Sequence, residues 1–217
     1  MTRRYARWVA VTLLLVAGCG DSPRTPIPAI TEYNKGVHFA DREDWDTAIT
    51  CYTKAIRLKP DLVEAYENRG HAYYDKGEPD QAIKDYSEAI RLKPDYAMAY
   101  NNRGMAYGMK GEPDQAIKDF TEAIRLKPDD MPPVTDSFVE ISWGGDLTKA
   151  YAYNNRGRAY YDKGEPDQAI KDYSEAIRLK PDHALAYKYR GDAYKKQGDN
   201  AKADADFAKA KELEAKK

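Results

Sequence analysis

Cysteine and histidine are scarce in this chain, and the motifs of catalytic sites are missing. The sequence has 2 cysteines and 3 histidines, and His38, His71 and His183 share no metal-ligand spacing. No glycine-rich phosphate loop is present, and no motif surrounds a serine or cysteine nucleophile. We therefore expect no enzyme activity, no cofactor and no metal site.

Basic residues are not in excess either. Lysine and arginine number 35 against 36 acidic residues, so the formal net charge is -1. Nucleic-acid binding depends on cationic side chains that neutralise phosphates. The charge balance argues against it, and we expect no nucleic-acid partner.

Long hydrophobic runs are also lacking. The apolar run from Trp8 to Gly18 is too short for a membrane-spanning helix, which needs about 20 residues. It follows a basic tip with Arg3, Arg4 and Arg7, as in a secretory signal peptide. We therefore expect residues 1–18 to be a signal peptide that is not part of the folded domain.

The end of this run and the cysteine that follows it resemble a lipobox. Ala17 and Gly18 precede Cys19, as in the bacterial lipoprotein family. The resemblance implies that Cys19 is lipidated as the first mature residue and anchors the chain to a membrane. Gly20 in the next position implies delivery to the outer membrane, facing the periplasm. A plain secretion signal with an incidental cysteine is the alternative.

Residues 19–28 are rich in proline, which favours an extended, semi-rigid tether. Once Cys19 is lipidated, Cys51 has no partner for an intramolecular disulfide. The fold must then be stable without such a crosslink.

Internal repeats make up most of the sequence. Residues 73–95 recur letter for letter at 160–182, with a looser copy at 107–129. The basic residues of one column lie 34, 34, 53 and 34 positions apart: Lys35, Arg69, Arg103, Arg156 and Arg190. The spacing indicates five repeats with one insertion after the third, and a fixed period of this kind decides the architecture.

The repeated positions resemble the tetratricopeptide repeat (TPR) family over roughly residues 29–217. In the second repeat they are Tyr66, Gly70, Tyr73, Ala82, Tyr86, Ala89 and Pro94. The resemblance implies an all-α solenoid of helix-turn-helix repeats that forms a right-handed superhelix. Its concave face would be lined mostly by the first helix of each repeat. We place repeats one to three at 29–130, the insertion at 131–149 and repeats four and five at 150–217.

Helix boundaries follow from recurring residues. Aspartates after a proline are predicted N-caps, glycines are predicted left-handed helix ends, and prolines are predicted in first turns. The three sets are Asp61, Asp95 and Asp182; Gly77, Gly111 and Gly164; Pro79, Pro113 and Pro166.

An arginine and an aspartate sixteen residues later recur together. The pairs are Arg69 and Asp85, Arg103 and Asp119, Arg156 and Asp172, and Arg190 and Asp206. In the first repeat both positions change, to Lys35 and Cys51. We interpret the joint change as an ion pair between adjacent helices. The alternative is that duplication copied both letters.

Residues shared by all repeats are scaffold, and residues that differ on the concave face are candidates for recognition. The family's groove columns, together with one aromatic from the insertion, give these candidates: Tyr74, Met98, Asn101, Met105, Met109, Trp143, Tyr151, Asn154, Arg158 and Tyr161. Methionine is adaptable at binding surfaces, and tyrosine and tryptophan are frequent anchors. The alternative for the methionines is that they fill gaps between helices.

The resemblance implies a protein-interaction scaffold or adaptor of the bacterial cell envelope that binds partner proteins or peptides on its concave face. The alternative function is a structural component of an envelope assembly machine, such as pilus or secretion-pore biogenesis. A homodimer through the last helix, residues 201–216, also remains open.

Overall fold

The computed structural model describes residues 27–126 and 146–216, and in these ranges the chain contains ten α-helices and no strand. The helices are α1 (Pro28–Ala40), α2 (Trp45–Leu58), α3 (Val63–Asp75), α4 (Pro79–Leu92), α5 (Ala97–Met109), α6 (Pro113–Arg125), α7 (Asp146–Asp162), α8 (Pro166–Leu179), α9 (Ala184–Gln197) and α10 (Asn200–Ala215). The predicted all-α solenoid of helix pairs is confirmed. None of these ten helices combines the length and the apolar character of a membrane span.

The helices form two compact units. Unit 1 holds α1 to α4, and unit 2 holds α5 to α10. Within each unit, the two helices of a repeat pack together, and each pair packs on the next. The right-handed superhelix of the whole chain stays a prediction.

Repeats three and four stack in unit 2 although 19 extra residues separate them in sequence. Helix α6 packs on α7, and Lys163 Nζ lies 2.9 Å from Asp114 Oδ1. The equivalent contact in unit 1, which spans no insertion, joins Lys76 Nζ to Asp46 Oδ1 at 2.7 Å. The insertion therefore leaves the stacking geometry intact. Helix α7 begins at Asp146, inside the range assigned to the insertion, while residues 131–145 lie outside the described residues.

Proline and glycine mark the helix ends as predicted. The three prolines stand at the start of α4, α6 and α8, where the missing N–H costs no helical hydrogen bond. Gly77, Gly111 and Gly164 have φ values of 77°, 74° and 82°. This is the left-handed region, in which other residues are strained.

The predicted N-cap aspartates are wrong by one residue. Helices α3, α5 and α9 have Leu62, Tyr96 and His183 as N-caps, and none of the three makes a side-chain cap hydrogen bond. Packing explains the shift at Leu62, which is 2% exposed. Burying a leucine stabilises by about 1.5–3 kcal/mol, more than the roughly 1 kcal/mol of a side-chain cap.

A glycine of each first helix receives an aromatic ring of the second helix. A Cβ on Gly157 would lie 2.8 Å from Tyr173 Cε1 and 3.2 Å from the Ala169 carbonyl oxygen. The same contact recurs in the other repeats, at Gly36 with Tyr52, Gly70 with Tyr86, Gly104 with Phe120, and Gly191 with Phe207. The glycine column is required because the ring occupies the space of a side chain.

Substituting two helical glycines should change stability in opposite directions. Gly157→Ala forces a methyl group against a packed ring and a carbonyl, and should lower the free energy of unfolding by about 1–3 kcal/mol. Gly108→Ala meets nothing within 4 Å, and should raise it by up to about 1 kcal/mol. Chemical denaturation measures both variants, and a Gly157→Ala protein as stable as wild type would contradict the packing described.

Candidate protein-binding face

The first helices of successive repeats lie closer to one another than the second helices do. Helix α1 contacts α3, α5 contacts α7, and α7 contacts α9, whereas no two second helices from successive repeats of the same unit are in contact among the described residues. Each stack therefore curves toward its first helices. We call the surface of α5, α7 and α9 the inner face of unit 2, and that of α1 and α3 the inner face of unit 1.

In repeats two to five, a bidentate ion pair fixes the first helix to the second helix. Arg156 Nε donates to Asp172 Oδ2 and Nη2 donates to Oδ1, both at 2.8 Å. Nη1 donates to Thr121 Oγ1 of the preceding repeat at 3.0 Å, and the guanidinium lies 5.4 Å from the centre of the Tyr153 ring. One arginine thus ties together three helices, α6, α7 and α8.

The other three predicted pairs are brought together in the same way, at 2.7–2.8 Å: Arg69 with Asp85, Arg103 with Asp119, and Arg190 with Asp206. Arg69 Nη1 also donates to Thr53 Oγ1, and Arg190 Nη1 to Ser174 Oγ, each at 3.0 Å. Sequence reasoning misses these hydroxyls because they belong to the preceding repeat.

The first repeat replaces the pair with two separate groups. Lys35 Nζ pairs with Glu32 at 2.6 Å on its own helix and is 54% exposed. Cys51 occupies the aspartate position as a buried free thiol, and burial raises the pKa of this thiol. A protonated thiol is a weak nucleophile. The burial of Cys51 therefore favours a packing role over a catalytic one.

The predicted methionines have different environments. Met105 is half-buried against Ala116, Phe120 and Ala159, which fits the gap-filling alternative. Met98 and Met109 are 36% and 46% exposed. Met109 lies one residue past the column of Tyr74 and Tyr161, because the 34-residue period places Gly108 there.

The two predicted asparagines are buried. Asn101 and Asn154 are 9% and 6% exposed, and Asn101 Oδ1 accepts a hydrogen bond from Asn155 Nδ2 at 3.1 Å. This bond joins α5 to α7. The Asn101 side chain therefore lies between helices, and neither asparagine lies on an open surface.

The aromatic and cationic candidates of α7 lie next to α9. The Tyr151 ring contacts His183 edge-on at 5.3 Å, and Lys196 Nζ lies 4.7 Å from the centre of the Tyr161 ring. The Arg158 guanidinium lies 5.4 Å from the centre of the Tyr189 ring. The inner face of unit 2 thus presents tyrosines flanked by cations.

Tyr74 lies in unit 1, where it is half-buried. Burial raises the pKa of its hydroxyl, so the side chain is neutral at physiological pH. Trp143 and Cys19 lie outside the described residues.

Side chains of α7, α8 and α9 line a pocket of about 140 Å³. It is lined by Arg158, Tyr161, Tyr173, Tyr189 and Asp192. Sequence reasoning does not select Tyr173, because residues common to the repeats are assigned to the scaffold. The signal for Tyr189 is visible in the sequence, since its column holds asparagine at Asn68, Asn102 and Asn155.

Models of known protein families match the residues of most of the helices. The TPR repeat model matches residues 36–77, 70–111 and 157–198, and tetratricopeptide repeat models also match 97–130 and 190–217. The chain belongs to the tetratricopeptide repeat family.

Solved structures similar to this TPR chain include MamA. That protein is 31% identical, with a TM-score of 0.67, over 83% of this chain and 95% of the MamA chain. PilW, a widely conserved type IV pilus biogenesis factor, is 20% identical, with a TM-score of 0.71, over 85% of this chain and 77% of its own.

YrrB, a TPR protein with an unusual peptide-binding site, is also similar. It is 20% identical, with a TM-score of 0.61, over 85% of this chain and 86% of its own. At this identity, the likenesses to YrrB and PilW show a shared TPR fold. No curated protein matches the chain.

Proposed function

We propose that this TPR chain is a non-catalytic scaffold or adaptor of the bacterial cell envelope that binds partner proteins or peptides on its inner face. The observation that carries the proposal is the inner face of unit 2. There, tyrosines and cations of α7 and α9 line a pocket. Tyrosine and arginine are the residues in which binding energy is most often concentrated.

The location rests on the start of the sequence. Ala17, Gly18 and Cys19 support a lipid anchor, and Gly20 supports the outer membrane, with the repeats in the periplasm. In cells, Cys19→Ser should move the protein from the membrane fraction to the soluble fraction, whereas Cys51→Ser should leave it membrane-bound. A Cys19→Ser protein that stays with the membrane would contradict the anchor.

Partner capture tests the binding function. A tagged chain is crosslinked in cells, purified and analysed by mass spectrometry, as wild type and as the Arg158→Glu, Lys196→Glu double variant. Both side chains are exposed and contact pocket tyrosines. Reversing two charges beside half-buried tyrosines should reduce recovery of the dominant partner at least about tenfold.

The matched control is Lys118→Glu, Lys171→Glu, which makes the same charge change at exposed positions of the second helices α6 and α8. It should capture the partner as wild type does. If the α6 and α8 variant loses the partner while the double variant of α7 and α9 keeps it, binding lies elsewhere.

A partner that co-purifies in fixed stoichiometry without crosslinking would favour a structural component of an assembly machine.

A further inference from the structure

The first repeat carries the two most exposed large apolar side chains of the described residues. Ile27 is 64% exposed and Leu58 is 57% exposed. Ile27 is the N-cap of α1 and Leu58 is the last residue of α2, so both lie at the same end of this helix pair. One groove at this end is lined by Pro28, Thr31, Glu32, Lys54, Arg57 and Leu58. We call these six residues and Ile27 the end face of unit 1.

The exposure of Leu58 is specific to the first repeat. The leucines in the same column of the later repeats are all half-buried: Leu92, Leu126, Leu179 and Leu213. An exposed apolar patch with polar residues around it is typical of a surface that contacts a partner or a membrane. The end face therefore has a feature that the repeat pattern does not explain.

The end face also carries two cations where other repeats have an ion pair. In repeats two to four, a glutamate and an arginine three residues later pair at 2.8–2.9 Å: Glu88 with Arg91, Glu122 with Arg125, and Glu175 with Arg178. In the first repeat these two positions hold Lys54 and Arg57.

These two cations are available to a partner. Lys54 and Arg57 are exposed, and neither has a hydrogen bond or an ion pair within residues 27–126 and 146–216. The acid of the groove, Glu32, is already paired with Lys35 at 2.6 Å. The end face is therefore positively charged around an exposed leucine.

The position of the expected lipid anchor says what covers this face. Ile27 is the eighth residue after Cys19, and eight fully extended residues span at most about 29 Å. A lipid on Cys19 would therefore hold Ile27, and the end face with it, close to a membrane surface. Cations near such a surface are attracted to anionic headgroups.

We propose that the end face of unit 1 docks on the anionic phospholipid surface of the membrane to which Cys19 is anchored. Lys54 and Arg57 lie against headgroup phosphates, and Ile27 and Leu58 enter the interface. The proposal rests on the lipid anchor of the proposed function. A symmetric dimer through this face is disfavoured, because each copy would bring the same two cations to the contact.

Partition into vesicles tests the docking. The mature chain, residues 19–217 with Cys51→Ser, is coupled through the Cys19 thiol to a single myristoyl-length chain, whose own membrane binding is weak and reversible. Lys54→Glu should lower the partition coefficient on vesicles of phosphatidylethanolamine and phosphatidylglycerol at least about tenfold, because it removes one cation and pairs Arg57. Leu58→Ser should lower it about fivefold. Lys54→Glu copies the residue of repeats two to four, so the helix tolerates it.

Lys171→Glu is the matched control, since it makes the same charge change at an exposed position of α8; it should partition as wild type does. On phosphatidylcholine vesicles, or at about 1 M salt, where the Debye length is about 3 Å, the deficit of Lys54→Glu should disappear. Equal partition of Lys54→Glu and wild type, or an equal loss in Lys171→Glu, overturns the docking.

Two further measurements separate the docking from other accounts of the same face. Sedimentation velocity of the uncoupled chain tests a second copy as the occupant: a dimer that Leu58→Ser dissociates would overturn the membrane assignment. The vesicle result does not depend on lipidation in cells, because the alkyl chain is attached chemically. Failure of the anchor itself is detected separately, by the fractionation of Cys19→Ser.

Discussion

Asp172→Ala should lower the free energy of unfolding by about 3 kcal/mol, the order expected when one partner of a buried ion pair is deleted. The carboxylate side chain is 8% exposed and the Arg156 side chain 17% exposed. Without Asp172, the guanidinium keeps its burial between helices and loses both short hydrogen bonds. Urea denaturation with a folded-state check by circular dichroism measures the loss.

The same helix provides the control. Glu175 pairs with Arg178 at 2.9 Å, with side chains 43% and 66% exposed, so Glu175→Ala should cost at most about 1 kcal/mol. The Arg156→Lys, Asp172→Cys double variant copies the first repeat, and should cost less than Asp172→Ala because a lysine can extend its ammonium group into water. If Asp172→Ala and Glu175→Ala cost the same, the four pairs are products of duplication without a structural role.

Ile170→Asp combined with Ile177→Lys should lower the free energy of unfolding by at least about 3 kcal/mol. These isoleucines of α8 are half-buried, and Ile170 packs against the cluster that contains Ala193 of α9. The changes remove apolar contact and place charges between stacked repeats. The variant tests whether apolar stacking of the fifth repeat on the fourth holds the end of unit 2 together.

The last helix, α10, already has an aspartate and a lysine at the positions equivalent to Ile170 and Ile177. The 34-residue period places Asp204 and Lys211 of α10 at these positions, and both are exposed. Asp204→Ala with Lys211→Ala should therefore change stability by no more than about 0.5 kcal/mol. A large loss in this control, or none in the α8 variant, would contradict the stacking account. A homodimer through α10 would have to bury these charges, which is costly.

The periodicity of the sequence predicts much of the fold because each repeat specifies its own turns. Pro166 and Gly164 act within one repeat, and their positions follow from local backbone geometry. The pairing of Arg156 with Asp172 can also be predicted, since the first repeat changes both positions together. The N-cap at Leu62 cannot be predicted in this way, because its burial depends on contacts outside its own turn.

The candidate site is harder to predict for the same reason. Asn101 and Asn154 differ from the residues of other repeats, which favours recognition, yet both are buried, and Asn101 bonds across α5 and α7. Tyr173 lines the pocket, yet its position is shared with other repeats and is therefore assigned to the scaffold. A repeat comparison identifies variable columns, and the stacking of neighbouring repeats decides which of them face an open surface.

Site-specific photo-crosslinking in cells tests the central claim, that partners bind the inner face, most directly. A photoreactive phenylalanine derivative replaces Arg158 or Lys196 on α7 and α9, and Lys118 or Lys171 on α6 and α8, one position at a time. The account predicts a discrete adduct of the same mass at the first two positions and none at the other two. Adducts at Lys118 and Lys171 without any at Arg158 and Lys196 would show that partners bind the second helices, and would contradict it.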